Sequence, residues 1–246
     1  MRAQNLIALR RIGKRDFIPR SPNGTPAALV SDVKYQGIAK IAVAVALAVA
    51  GWAWNPWRSI KHEPGVLVAA IPIQTEVGQI ELPEVAGWKL KPAAEYLLRG
   101  RVLGTKRYLS GFGSDLVPID VAVGWGRMSD QAVLDQFSLS MGNRFFFYEW
   151  SEEPAIPLNE IMRSASNNHV IAANKDVAKT IRSLVPGHVV TMRGYLVNAS
   201  FPDGSSWNSS LRRDDTGNGA CEVFYVQSIT AAETAPKTDD ATVASR

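Results

Sequence analysis

One run of residues constrains this chain more than any other. Residues 41–57 read Ile-Ala-Val-Ala-Val-Ala-Leu-Ala-Val-Ala-Gly-Trp-Ala-Trp-Asn-Pro-Trp without a charge, and 37–39 extend the run across Lys40. A helix needs about 20 apolar residues to cross a hydrocarbon core, and a lysine at the end of such a helix can carry its ammonium to the interface. Trp52, Trp54 and Trp57 then form an aromatic belt at the far boundary, where Pro56 ends the helix. The run is therefore read as one transmembrane helix over 38–57. A buried core helix competes with it, as does a cleavable signal peptide ending near Ala48-Val49-Ala50, although some 40 residues precede the run.

Charge gives the span a direction. Arg2, Arg10, Arg11, Lys14, Arg15, Arg20, Lys34 and Lys40 lie before the apolar run and are opposed only by Asp16 and Asp32. An excess of Lys and Arg holds a flank in the cytoplasm, so the basic arm, 1–37, is expected inside and everything after the helix outside. The net charge of +4 is modest, and an apolar fraction of 46% against 20% charged supports a packed core.

The remainder divides into an extended linker or edge strand over 58–87, where Pro64 and Pro72 interrupt an apolar stretch, a folded domain over 88–229, and a disordered tail over 230–246. The fold class is α+β: an N-terminal transmembrane helix followed by a β-rich soluble domain. Strands are expected over 94–103, 116–123, 144–150, 189–197, 205–211 and 221–229, and helices over 130–137, 157–165 and 174–184. Ser129 is a plausible cap for the first helix and Asn174 for the last, where Val177, Ile181 and Leu184 share a face. The polar segment 212–219 suits a hairpin tip. A helix leading through Pro186-Gly187 into a meander, with Gly194 permitting strong strand curvature, suggests an OB-like barrel in the C-terminal part.

Three segments carry a resemblance: 96–103 with Tyr108, the run Asp120-Val-Ala-Val-Gly-Trp-Gly-Arg-Met-Ser-Asp130, and Ser209-Ser-Leu-Arg-Arg-Asp-Asp-Thr-Gly-Asn-Gly-Ala-Cys-Glu222. Over roughly residues 90–230 they resemble single-pass membrane-anchored proteins of proteobacteria to which no activity is assigned. The resemblance implies a bacterial inner-membrane location with the C-terminal domain in the periplasm. It transfers no site residues.

Several segments match parts of catalytic constellations. Asp215-Thr216-Gly217 matches the core of the aspartic-protease motif, which would need two copies of the chain, yet it follows Arg212-Arg213-Asp214 instead of an apolar strand. Asp214, Asp215 and Asn218 lack the spacing of an EF-hand loop. Cys221, the only cysteine, excludes an internal disulfide or a cysteine-based zinc site. Paired with His169 or His188 it would make an activated thiol, but alternation through Cys221-Glu222-Val223-Phe224 favours a buried structural cysteine. Neither Cys-x-x-Cys-His nor a haem-attachment pattern occurs, and no cofactor is expected. Gly124-Trp125-Gly126 before a capped helix could face an anion, although a turn seating Trp125 in the core explains it better.

The leading expectation is a non-enzymatic periplasmic binding or accessory domain for a protein, peptide or envelope component, touching lipid through 38–57. Nucleic acid is disfavoured by the outward topology. The candidate binding surface is Trp125, Arg127, Arg144, Tyr148 and Trp150, five residues in or near the aromatic run and the Gly-Trp-Gly turn. The rival is an envelope hydrolase built on Cys221 or Asp215. A third role, self-association through the small-residue face of Ala42, Ala46 and Ala50, belongs to the helix itself.

Overall fold

The computed structural model describes residues 41, 43, 59–212 and 220–234. The chain divides into two compact units, Met1–Asn55 and Pro56–Arg246. Of the first, only the helical Ile41 and Val43 are described, so the expected span 38–57 and the basic arm lie outside the described residues, as do 213–219 and 235–246. Among the described residues no helix is long and apolar enough to cross a membrane.

The second unit is a mixed α+β fold built on a seven-stranded sheet. Its strands are β1 (Ile73–Thr75), β2 (Lys89–Arg107), β3 (Ile119–Gly124), β6 (Ala165–Ala172), β7 (Val189–Ser200), β8 (Ser206–Asn208) and β9 (Glu222–Ala232). Strands β4 (Ser138–Gly142) and β5 (Phe145–Glu149) form a separate two-stranded arm. Short helices α1 (Gln131–Leu134), α2 (Leu158–Arg163) and α3 (Lys175–Ser183) fill the connections.

The sheet partly closes on itself. Its order is β1-β2-β3-β6-β9-β7-β8, and an added β2–β7 pairing joins β2, β3, β6, β9 and β7 into a ring. All neighbours in the ring are antiparallel except β6 and β9. The closure depends on how β2 bends. Lys89–Arg101 pairs with β7 and Arg101–Arg107 with β3, with register shifts at Pro92/Ala94 and Val102/Gly104. Proline has no N–H for a ladder, so Pro92 belongs at such an irregularity. On β7 the break falls at Arg193/Gly194, where Gly194 has φ 157° and a Cβ would sit 2.0 Å from the Tyr225 carbonyl. Curvature at this point is possible because the residue is glycine.

Burial follows from the closure. Leu98, Val121, Met192, Leu196 and Phe224 fill the ring interior. All six residues of β3 are buried, since one face looks into the ring and the other is covered by the arm and α2. Helix α3 has the expected cap, with Asn174 Oδ1 accepting from the Asp176 and Val177 amides at 3.1 and 2.9 Å while Val177 and Ile181 turn inward.

Three readings of the sequence change in detail. Helix α1 is shorter than 130–137 and is capped by Asp130, whose Oδ1 accepts from the Ala132 amide at 2.9 Å. Ser129 is buried instead, with its hydroxyl donating to the Gly126 carbonyl at 2.7 Å and accepting from the Val68 amide at 3.1 Å. That second bond belongs to the stretch read as an extended linker or an edge strand. Residues 59–75 are extended but lie on the domain, with Val68 3% exposed within the core, Ile60 N–H bonded to the Pro186 carbonyl at 2.8 Å, and β1 paired with β2. Buried Arg101 reaches the Ser129 and Ile60 carbonyls and the side chain of Gln131. An apolar run such as Val66-Leu67-Val68 gains by covering the domain, and here it does so through Leu67 and Val68.

Candidate functional site

A carboxylate in an apolar strand begins the site. Asp120 interrupts Ile-Asp-Val-Ala-Val on β3 and lies directly across from His169 on β6. Opposed residues on neighbouring strands bring their side chains within contact, and His169 Nδ1 meets Asp120 Oδ1 at 2.8 Å. A carboxylate only accepts, so Nδ1 donates in this pair. Both side chains are almost wholly buried.

Arg144 completes the base of the site from a distant part of the chain. It occupies the turn of the β4–β5 arm with Asn143, the two residues having φ of 68° and 52°. A two-residue hairpin with both centres left-handed matches the natural twist of its strands, and asparagine tolerates that conformation better than arginine. From this tip Nη1 donates to Asp120 Oδ1 at 3.0 Å and to the Val117 carbonyl at 2.9 Å, and Nη2 donates to the Phe112 carbonyl at 3.2 Å. The guanidinium lies 3.7 Å over the Tyr108 ring and 5.2 Å from that of Trp207. Its backbone is tied as well: the amide donates to the Tyr108 hydroxyl, and the carbonyl accepts from Asn167 Nδ2 at 2.8 Å and from the Cys221 thiol at 3.7 Å. Burial holds the Tyr108 phenol above its ordinary range, and the Asp120 carboxylate adds to the shift.

Two clefts open on this base. The larger, about 540 Å³, is lined by Phe112, Arg144, His169, Trp207 and Cys221, with Asn143, Phe145, Ser206 and Asn208 at its margins. Trp207 tilts over His169 with ring centres 4.5 Å apart and lies tilted against Phe112 at 5.6 Å. The smaller cleft, about 350 Å³, runs under the arm between Phe145–Tyr148 and Trp125, Asn167, Cys221 and Glu222. Phe145 and Cys221 border both. Asn167 Oδ1 and Asp120 Oδ2 are buried without a hydrogen-bond partner. Such acceptors are costly to keep, and they lie in the seam of polar residues that underlies the clefts.

The residues singled out from sequence separate into two groups. Arg144 is the hub, Trp125 is 2% exposed and forms part of the floor of the smaller cleft, and Tyr148 lines that cleft with Trp150 stacked on it at 6.1 Å. Arg127 is not among the lining residues: it makes a two-pronged ion pair with Glu160 on α2, which holds the Glu160 carboxyl below its ordinary range. Cys221 is half-buried while Glu222 is 2% exposed, the reverse of the alternation expected for β9. Register explains the reversal, because Glu222 sits opposite Asn168 in the polar seam. The cysteine shares the larger cleft with His169, whereas His188 precedes β7 and uses Nδ1 to accept from the Val185 amide. Asp214, Asp215 and Asn218 lie outside the described residues.

Asp120, Asn167 and Trp207 escaped the sequence reading, and His169 entered it only as a possible partner of Cys221. One signal was present: a lone aspartate inside an apolar strand needs a partner. Among the described residues, no group of three or more His, Cys, Asp and Glu side chains could hold a metal ion. No protein-family model, curated protein or solved structure matches the chain.

Proposed function

We propose that this chain is a periplasmic binding or accessory module, anchored in the bacterial inner membrane by residues 38–57, with an OB-like ring that holds a segment of a protein or envelope component in its larger cleft. The strand order, the parallel β6–β9 pair and the placement of α3 between β6 and β7 support the OB-like reading. Folds of this kind take ligands on their second and third strands and on the loops that flank them. In this chain those strands are β3 and β6, and the loops are 108–118 and 201–221.

The observation that carries the reading is the convergence of those parts on one cleft: Phe112 from the first loop, Trp207 from the second and His169 from β6, with Arg144 closing the base. Half-exposed aromatic rings over a pre-ordered polar floor suit recognition, since little rotamer freedom remains to be lost on binding. Crosslinking in intact cells, mild-detergent purification and mass spectrometry test the proposal. A stoichiometric envelope partner that is lost with Trp207→Ala and retained with Arg127→Ala is expected. Recovery of the chain alone, or a partner indifferent to Trp207→Ala, would overturn it.

One observation favours a second reading, an envelope hydrolase that uses Cys221. The thiol lines the same cleft as a histidine already oriented by a buried aspartate. A Cys221→Ala chain with wild-type phenotype and stability removes that reading.

A further inference from the structure

A loop beside the larger cleft combines features that the binding proposal does not use. Residues 108–118 form a closed loop, pinned by the Tyr108 amide on the Pro118 carbonyl at 2.9 Å. Leu109 on this loop is 99% exposed, more than any other large hydrophobic side chain among the described residues. A single exposed leucine is ordinary on a protein surface, so its surroundings decide what it means.

Those surroundings are basic. Lys106 and Arg107 end β2, both exposed, just before the loop. Arg107 Nη2 donates to the Arg182 carbonyl at 2.5 Å, which fixes the last turn of α3 beside the start of the loop. Along α3, Lys175, Lys179 and Arg182 recur at intervals of four and three, all exposed, so they share one face while Val177 and Ile181 face the core. The nearby acids are Asp176 on α3 and Asp115 on the loop, and Asp115 accepts from Trp88 Nε1 at 3.2 Å.

The course of the chain says what this face meets. Ile60 is hydrogen-bonded to Pro186, four residues beyond Arg182. The apolar segment ends at residue 57, so the three residues that follow supply at most about 11 Å of extended chain. We propose that loop 108–118 and the exposed face of α3 form a lipid-contact surface, in which Leu109 enters the interfacial layer of an anionic leaflet while Lys106, Arg107, Lys179 and Arg182 meet its phosphates. Apolar side chains beside clustered cations are the combination that binds such a surface. The direction of approach rests on the anchor reading of 38–57; the surface itself does not.

The test uses the full chain in vesicles of phosphatidylglycerol and phosphatidylethanolamine, one set carrying a headgroup-level quencher to read positions 109 and 153 and a parallel set carrying an acyl-chain quencher to read position 46. An environment-sensitive fluorophore is placed by Leu109→Cys in a Cys221→Ser background, with Glu153→Cys as an exposed control and Ala46→Cys as a reporter of the anchor. The label at 109 should be quenched several-fold more than that at 153. This excess should fall in phosphatidylcholine vesicles and in a Lys179→Glu, Arg182→Glu chain. Quenching at 46 but not at 109 would overturn the lipid surface and leave the anchor standing. Quenching at 109 without 46 would support the surface and remove the anchor, and quenching at neither would remove both.

Discussion

The ring and the arm are both antiparallel in the main, yet they are held by different means. The ring is lined with aliphatic side chains and Phe224 that meet around a closed circuit, so each strand is supported by two neighbours. The β4–β5 arm has one ladder and a run of aromatic residues that are half-buried or exposed. An isolated hairpin of this size is marginal in water. One face of the arm rests Leu139, Met141, Phe146 and Tyr148 near Leu103, Ala122 and Met128, and its tip is fixed by the bonds of Arg144. Apolar contact gives the arm area, and a polar tip gives it position. Stability and placement are therefore set by different residues.

That contrast can be broken or sharpened by substitution. The largest expected effect is on the ring, where Phe224→Ala should cost about 4 kcal/mol in urea denaturation, as deletion of a fully buried aromatic side chain does. Asp120→Ala should cost about 3 kcal/mol, because it strands a charged partner in a mostly buried site. In this variant amide exchange should rise first in β4 and β5, and uniform acceleration across β7 would erase the distinction between the two regions. Trp207→Ala should weaken partner capture at least tenfold, about 1.4 kcal/mol, with a smaller effect on unfolding.

The smallest effect concerns pH. Burial holds His188 below the ordinary imidazole value, with Glu233 opposing the shift. The unfolded chain therefore takes up a proton before the folded one does. Stability is complete above about pH 6.5 and declines as pH falls from there through the folded value. His188→Asn should flatten the dependence of melting temperature on pH in this window without altering the arm.

Legibility followed the same division. Strands β7 and β9 and helix α3 could be read because their apolar spacing matches the face they bury. Strand β6, central to the ring, is missing from the expected strands because it opens Ala-Ser-Asn-Asn-His, a sequence without apolar alternation. Its polar side chains are buried because partners arrive from elsewhere: Asn168 Nδ2 donates to the Val121 carbonyl, and His169 finds a carboxylate 49 residues away. A strand that exchanges apolar burial for long-range hydrogen bonds gives no periodic signal of its own. The same cause hid the site. Arg144 and Tyr148 stood out within an aromatic run, while Asp120, His169 and Trp207 acquire meaning only when β3, β6 and loop 201–221 are brought together.

The parallel β6–β9 pair also governs the order of events as the chain is made. Strand β9 inserts between β6 and β7, so the circuit is completed by residues that emerge after every other described strand. A chain halted at residue 220 presents two long unpaired edges and half of a polar seam, a template for association with other chains. Synthesis from the amino end therefore leaves an adhesive intermediate whose lifetime is set by how quickly the eleven-residue β9 arrives.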